Sequence, residues 1–228
     1  DMMEGLSHEA FSLAGHLALN KLVVFYDDNR ITIEGSTALA YSDVVRKRFQ
    51  GYNFNVLEID GHNYEEIEKA IRKAQRSKDK PTIVICHTHI AHGSPNKHDT
   101  SAAHGEPLGP DEVKETKKNL GMPEDKDFYV PDRVRAVFDE RLKKLKSQDA
   151  KWQKLFTKYA QALPDRAAHW KKHMEDLLPD NLEAALPAFD PEKPVATRQA
   201  SSKVIQGIAK SVDWLVGGSA DLAPSTKT

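Results

Sequence analysis

The chain has 228 residues, 29% charged and 39% hydrophobic, a composition typical of a soluble globular protein with one large or two moderate domains. Its net charge of −1 provides no basic field for nucleic acid, and no apolar run approaches the roughly 20 residues of a membrane span. The composition therefore predicts neither a nucleic-acid-binding nor a membrane protein. The single cysteine, Cys86, excludes an intrachain disulfide and favours a reducing compartment such as the cytoplasm.

The first part of the chain alternates between helical and extended patterns. A helix is predicted over residues 4–19, because apolar residues recur there at helical spacing: Leu6, Ala10, Leu13 and Leu17. Strands are predicted over residues 22–27, 54–59 and 82–86, with a helix opened by Asn63 and Glu66 before the last of them. The last strand is almost wholly apolar, as strands buried on both faces are. This alternation predicts an α/β fold with a parallel sheet flanked by helices.

The rest of the chain changes character twice. Residues 87–109 lose all periodicity and contain five histidines, His87, His89, His92, His98 and His104. Helices are then predicted over residues 111–120 and 131–146 and around residues 152–159. Prolines recur through residues 164–194, which predicts an interdomain linker, and a new unit follows with a helix over residues 195–212 and a strand over residues 214–216.

The polar turn after the first strand is a candidate metal site. Asp27, Asp28 and Asn29 follow the strand directly, at the edge of a parallel sheet where ligands bind. Their oxygen atoms suit a hard cation such as Mg²⁺ or Ca²⁺, and the carbonyl of Ile31 could face the same ion. The alternative is an ordinary turn, in which Asp and Asn side chains bond the nearby backbone.

The histidines of the long loop have three interpretations: exposed loop residues, ligands of a transition metal, or acid/base groups. Their spacings match no compact zinc pattern. Among them, His104 lies between glycine-bounded turns that could place it in a cleft. Arg198, in the first turn of a predicted helix, fits an anion site as well as an ordinary surface position. Gly217 and Gly218 form a weak phosphate-loop signal that more often marks a tight turn.

Taken together, several segments of the chain resemble transketolase in family order and at family-like spacing. They extend across nearly the whole sequence: MMEGLSHEAFSLAGHLALNKLVVFYDDNRITIEG, DKPTIVICHTHIAHGSPNK, HGEPLG, ATRQASS and GGSADLAPS. The resemblance implies transfer of a two-carbon ketol unit from a ketose phosphate to an aldose phosphate in the pentose phosphate pathway. It also implies thiamine diphosphate as cofactor, Mg²⁺ (or Ca²⁺ or Mn²⁺ in its place), and a cytoplasmic homodimer with its active site between subunits.

The same resemblance implies a domain organisation. Residues 1–163 would be most of a pyrophosphate-binding domain, residues 164–194 a linker, and residues 195–228 the start of a pyrimidine-binding domain. Two alternatives to transketolase activity remain. One is dihydroxyacetone synthase or another thiamine-dependent ketol transferase, and the other is a non-catalytic fragment that keeps the fold.

The resemblance assigns roles to the cofactor and metal residues. Asn29 and the Ile31 carbonyl match the metal ligands, Asn29 also binding the cofactor diphosphate, and Ile33 matches an apolar contact to the thiazolium ring. His104 matches the histidine that contacts both diphosphate and substrate, and is the candidate catalytic residue. Asp221 matches an acidic residue lining the thiazolium. Asp27 and Asp28 are expected to shape the turn instead of binding the ion.

Four further residues match the family pattern. Arg198 and Ser225 match the pair that holds the sugar phosphate, and Glu4 and Glu9 match acidic residues that connect the two cofactor sites across the dimer. The family's metal-binding aspartate would lie just before residue 1, and its catalytic glutamate belongs to a later part of the family sequence. We therefore expect this stretch to be a fragment that is inactive by itself.

Overall fold

The computed structural model describes residues 2–3, 5–175, 177–179, 181–219 and 221–228. The chain divides into two compact units, Asp1–Tyr129 and Val130–Thr228. Among the described residues, no helix is long and apolar enough to cross a membrane.

Unit 1 contains a three-stranded parallel sheet, whose strands are β1 (Val23–Asp28), β4 (Asn55–Asp60) and β5 (Thr82–His87). The order in the sheet is β1-β5-β4, so that β5 is central. The helices are α1 (Gly5–His16), α2 (Val45–Gly51), α3 (Tyr64–Ala74) and α4 (Pro110–Asn119). A two-stranded hairpin, β2 (Ile31–Thr32) and β3 (Gly35–Ser36), follows β1 directly. The parallel sheet flanked by helices that the sequence predicted is confirmed.

The central strand β5 is buried on both faces. Thr82 to Cys86 are all buried, because β5 pairs with β1 on one side and with β4 on the other while helices cover the sheet. Ile83 packs with Phe49 and Phe54 on one face, and Val84 packs with Ile59 on the other. The alternation of side chains along a strand thus divides one apolar segment between two cores.

The helix α1 packs through small residues. Ala14 and Gly15 are buried, whereas Leu6 is 82% exposed and the rest of the predicted apolar stripe is exposed as well. A Cβ on Gly15 would lie only 1.7 Å from the backbone oxygen of Tyr52. The glycine therefore permits the close contact between α1 and the segment after α2.

The start of α3 has the predicted cap. The side-chain oxygen of Asn63 accepts hydrogen bonds from the backbone N–H groups of Glu65 and Glu66, at 3.0 and 3.2 Å. The Glu66 carboxylate accepts in turn from the backbone N–H of Asp60 at 2.9 Å. The two bonds to Asn63 satisfy donors that a helix start leaves without an intrahelical partner, and the bond from Asp60 connects the end of β4 to α3.

Unit 2 is helical, with α5 (Asp132–Ala162), α6 (Pro164–Met174), α7 (Thr197–Ala209) and the short α8 (Ala223–Thr226). The predicted break near residue 147 is wrong: α5 runs unbroken for 31 residues, because residues 147–151 contain neither glycine nor proline. The strand predicted over residues 214–216 is also wrong. Those residues form a turn and irregular backbone, and no strand is described in unit 2 for them to pair with.

Candidate functional site

The turn that follows β1 is organised by Asn29. Its side-chain oxygen accepts a hydrogen bond from the backbone N–H of Ile31 at 3.0 Å, which closes a tight turn around Arg30. Arg30 adopts a left-handed conformation with φ of 62°, and its carbonyl accepts from the backbone N–H of Thr37 at 2.9 Å. The turn therefore fixes the Asn29 amide beside the β2–β3 hairpin, where its second lone pair can still accept a ligand.

The two aspartates before Asn29 are held by residues at the end of β5. Thr88 donates from its hydroxyl to the Asp27 carboxylate. The Asp28 carboxylate lies 3.1 Å from Nδ1 of His87, with which it is aligned in the parallel pairing of β1 and β5. These contacts connect both carboxylates to the end of β5, and the expectation that the aspartates shape the turn stays a prediction.

A charged network extends this edge of the sheet to β4. Nε2 of His87 lies 3.0 Å from the Glu58 carboxylate, which also accepts from the Arg46 guanidinium at 2.8 Å. The hydrogen bond from Arg46 is the main reason that the pKa of Glu58 is lowered, and the bond to His87 adds to it. The carboxyl edge thus carries fixed charges that join all three strands.

An open cleft of about 770 Å³ lies next to the Asn29 turn, on the β1 side of the sheet. It contains four of the predicted site residues: Asn29, Ile31, Ile33 and His104. Ile33 lies in the hairpin, and its side chain is 71% exposed at the cleft, where it can contact an apolar group. The structure thus brings together side chains that are separated by up to 75 positions in the sequence.

His104 provides the clearest sign of a ligand in this cleft. It follows a 3₁₀ turn, Ser101–Ala103, and its backbone N–H donates to the Ser101 carbonyl at 2.9 Å. Its Nδ1 is shielded from solvent and has no hydrogen-bond partner among the described residues. A buried polar atom without a partner costs about 1–3 kcal/mol, so this nitrogen favours a ligand that can pair with it.

The sequence did not identify several residues that line the cleft. They come from the chain start, from α1, from β1 and from the segment after β3: Met2, Met3, Ser7, Phe11, Val24, Tyr26 and Thr37. Burial raises the pKa of Tyr26, and the nearby Asp28 carboxylate raises it further. Ordinary apolar and hydroxyl side chains give no motif in a sequence, so only the fold reveals their place here.

The loop that carries His104 is anchored to α4 by Glu112. The Glu112 carboxylate accepts from the Ser94 hydroxyl and from both the backbone and side-chain N–H groups of Asn96, each Asn96 bond at 2.9 Å. These hydrogen bonds lower the pKa of Glu112 to about 2, and the bond from Ser94 has the largest effect. Glu112 therefore ties the part of the loop around Ser94 and Asn96 to the first turn of α4.

Of the two acidic residues predicted to act at a dimer interface, only Glu9 lies among the described residues. Glu9 lies on the exposed side of α1 and borders a second open cleft of about 590 Å³, formed with His8, Ser12, Leu13, His16 and Tyr52. Glu4 lies outside the described residues. The interface role of both stays a prediction.

The remaining predicted residues belong to unit 2. Arg198 is exposed in the first turn of α7, as the sequence predicted. Asp221 is exposed before α8, and Ser225 is exposed within it. Their roles toward substrate and cofactor stay predictions.

Comparison with known proteins gives the family. Residues 1–179 match the family described as "Transketolase, thiamine diphosphate binding domain". The whole chain is similar to transketolases of Geobacillus stearothermophilus and Bacillus subtilis, at 45% and 40% identity over 230 aligned residues, 34% of the length of each relative. The chain thus spans about a third of the curated relatives that it matches.

The fold of the chain is also similar to that of solved transketolase structures. Transketolase from Leishmania mexicana superposes with a TM-score of 0.86 at 38% identity, over 99% of this chain and 33% of that one. A transketolase from Pichia stipitis in complex with sedoheptulose 7-phosphate gives the same TM-score at 37% identity, over 99% and 34%. The chain belongs to the transketolase family, and residues 1–179 carry its thiamine diphosphate binding domain.

Proposed function

We propose that the natural protein containing this chain is a transketolase that moves a two-carbon ketol unit from a ketose phosphate to an aldose phosphate. The observation that carries the proposal is the cleft itself, where Asn29, Ile31 and a shielded, unpartnered His104 nitrogen meet in a chain of this family. The matched relatives are named transketolases, and those of Pichia stipitis have been solved with sugar phosphates.

The residues of the cleft fit thiamine diphosphate and a divalent cation. The Asn29 amide oxygen and the Ile31 carbonyl are hard oxygen ligands, which suit Mg²⁺, with Ca²⁺ or Mn²⁺ as substitutes. The exposed Ile33 offers an apolar surface for a ring, and His104 Nδ1 offers a polar partner for a diphosphate. When bound, thiamine diphosphate supplies the nucleophilic carbon and the electron sink needed to break a carbon–carbon bond beside a carbonyl.

The chain's own residues bind and orient the cation, the cofactor and the substrate. Asn29 and Ile31 hold the cation, and the turn locked by the bond between them keeps both ligands in place. His104 donates a hydrogen bond to the diphosphate or to the charge that develops on the substrate oxygen, which is worth most in a site shielded from water. The family resemblance assigns Asp221, in unit 2, to the thiazolium side of a cofactor site.

Substrate recognition belongs to unit 2 in this proposal. Arg198 and Ser225 bind the terminal phosphate of the sugar, since a guanidinium in the first turn of a helix adds its charge to the free N–H groups there. Binding energy from that remote phosphate orients the reacting carbon.

The organisation of the whole protein is part of the same proposal. Residues 1–163 act as pyrophosphate-binding domain, residues 164–194 as linker and residues 195–228 as the start of the pyrimidine-binding domain. The protein works as a cytoplasmic homodimer in the pentose phosphate pathway, with Glu4 and Glu9 connecting its two cofactor sites. These features rest on the family resemblance.

The deciding experiment is an assay of the natural polypeptide that contains this sequence. Xylulose 5-phosphate is the donor, and ribose 5-phosphate and formaldehyde are compared as acceptors. Turnover with ribose 5-phosphate supports the proposal, preference for formaldehyde identifies dihydroxyacetone synthase, and no turnover with cofactor and Mg²⁺ refutes both. Arg198→Ala is expected to raise KM for phosphorylated sugars, and an equal KM in variant and parent would remove Arg198 from the substrate site.

A further inference from the structure

Four imidazoles and one carboxylate gather near the carboxyl edge of the sheet, at a place that the proposed reaction does not use. His62 comes from the turn after β4, and His89, His92, His98 and Asp99 come from the loop after β5. The rings stack: His62 on His92 at 4.2 Å, His89 on His98 at 4.9 Å and His62 on His89 at 5.6 Å between centroids. Two separate loops therefore converge on one histidine cluster.

Three of these groups, His89, His98 and Asp99, bring possible ligand atoms close together. Nδ1 of His89 lies 2.8 Å from Oδ2 of Asp99, and Nε2 of His98 lies 3.2 Å from the same oxygen. All three atoms lie within 4.8 Å of one another. In a tetrahedral site with bonds of about 2.0–2.1 Å, ligand atoms stand roughly 3.3 Å apart, so only small movements separate this arrangement from coordination.

The neighbouring histidine supports this geometry. Nε2 of His62 accepts a hydrogen bond from the backbone N–H of His89 at 3.0 Å. That bond holds the backbone of His89 in place, and the stacked His62 and His98 rings flank the His89 imidazole. Such fixed orientation of a ligand ring is what a metal site requires of its supporting residues.

We propose that His89, His98 and Asp99 bind one transition-metal ion, with Zn²⁺ as the reference ion and solvent completing the coordination. Two imidazole nitrogens and one carboxylate oxygen suit Zn²⁺, Co²⁺ or Ni²⁺, whereas Mg²⁺ and Ca²⁺ prefer all-oxygen sites. The side chains of His89 and Asp99 are 54% and 41% exposed, so an ion can enter directly from solvent. This ion is distinct from the hard cation proposed at Asn29.

Metal binding would stabilise the loop between β5 and α4. The ion joins residue 89 to residues 98 and 99 and so closes a loop segment whose middle is fixed by the Glu112 hydrogen bonds. Closing a flexible segment removes conformational freedom mainly from its open states. We therefore expect the ion to raise the protection of backbone amides in residues 88–100.

The test uses the whole chain without a polyhistidine tag, stripped with chelator and titrated calorimetrically with Zn²⁺. A second cluster, His169, His173 and Asp213, also has ligand atoms close together. The parent for the experiment is therefore the His169→Gln/His173→Gln background, so that this second cluster cannot account for the signal. We expect one Zn²⁺ per chain, and Co²⁺ in its place should give the visible absorption of a tetrahedral site.

Three variants in that background locate the ion. His89→Gln/His98→Gln and, separately, Asp99→Asn should each weaken Zn²⁺ binding by more than about tenfold, since loss of even a supporting partner costs that much. His16→Gln, which removes an imidazole at the end of α1, should bind like the background. All four residues are exposed or half-buried, so far-ultraviolet circular dichroism should show unchanged folding.

In calorimetry, two outcomes overturn the proposal. One is the absence of stoichiometric Zn²⁺ binding by the His169→Gln/His173→Gln background. The other is Zn²⁺ binding by Asp99→Asn or by the double histidine variant that is as tight as in the background. Hydrogen–deuterium exchange gives a second readout. Protection gained on adding Zn²⁺ should be confined to residues 88–100, and protection elsewhere without any change there would also overturn it.

Discussion

Gly15 provides a sharp test of how α1 packs in unit 1, because helix propensity and packing predict opposite effects of Gly15→Ala. In a helix, alanine is favoured over glycine by about 1 kcal/mol, so propensity predicts stabilisation. The structure predicts the reverse. The new Cβ would lie 1.7 Å from the Tyr52 oxygen and 2.9 Å from its carbonyl carbon, both rigid backbone atoms.

The size of the loss in unfolding free energy can be estimated from that contact. The helix and the Tyr52 peptide must separate by about 1.3 Å before the Cβ–oxygen distance reaches 3.0 Å, below which such contacts essentially never occur. Overpacking costs about 1–3 kcal/mol, and a backbone obstacle that cannot rotate away favours the upper end. After the gain from propensity, unit 1 should lose about 2 kcal/mol of unfolding free energy.

The assay must report on unit 1 alone. All three tryptophans, Trp152, Trp170 and Trp214, lie in unit 2, so their fluorescence serves as an internal control. Hydrogen–deuterium exchange of β5 amides in increasing urea measures unit 1, and Gly5→Ala is the matched control, since nothing lies within 4 Å of a Cβ there. A Gly15→Ala chain as stable as the parent would refute the close contact between α1 and Tyr52.

Two further predictions concern titratable groups. The pKa of Glu112 is lowered to about 2 from its usual 4.5 by its hydrogen bonds, so its contribution to stability is complete above pH 4.5 and is lost as pH falls toward 2. The Asn96 amide resonances in NMR should follow that titration and should not in Glu112→Gln; a midpoint near 4.5 would contradict it. Burial raises the pKa of the Cys86 thiol, so iodoacetamide should alkylate it far more slowly in the folded chain than in urea, and equal rates would place it outside the core.

The sequence predicted the parts of the fold that depend on local patterns. The apolar run ending at Cys86 identified the central strand, because a strand between two neighbours is apolar on both faces. The Asn63 and Glu66 pair identified the start of α3, because a helix start needs side-chain acceptors. The strand predicted near Trp214 was wrong, since a short apolar run forms a strand only where another strand is available for pairing.

The site was predictable only in part. The position of Asn29 after β1 pointed to the sheet edge, and resemblance to the family added His104, 75 positions later. Nothing in the sequence could indicate that Phe11 and Tyr26 complete the cleft or that the His104 nitrogen is left without a partner. The sequence left transition-metal binding open as one of three roles for the loop histidines, but their spacings match no zinc pattern. Only the structure brings His89, His98 and Asp99 together, with His62 bonded to the His89 backbone.

The cofactor role of the Asn29 turn is the central claim, and one titration tests it most directly. Thiamine diphosphate is titrated calorimetrically into the natural polypeptide that contains this sequence, with and without Mg²⁺, and into its Asn29→Ala variant. Asn20→Ala is the matched control. Asn20 precedes β1 at the opposite end of the strand, and among the described residues its side chain makes one long hydrogen bond, of 3.4 Å to the Ser77 carbonyl.

We expect thiamine diphosphate to bind in an Mg²⁺-dependent manner, and Asn29→Ala to weaken the binding of cofactor and ion together. The loss of a hydrogen-bonding partner to a charged group corresponds to about 1.5–3 kcal/mol, or roughly 10- to 150-fold in affinity. Asn20→Ala should bind like the parent. Unchanged affinity of Asn29→Ala for both thiamine diphosphate and Mg²⁺ would remove Asn29 from the site and contradict the account.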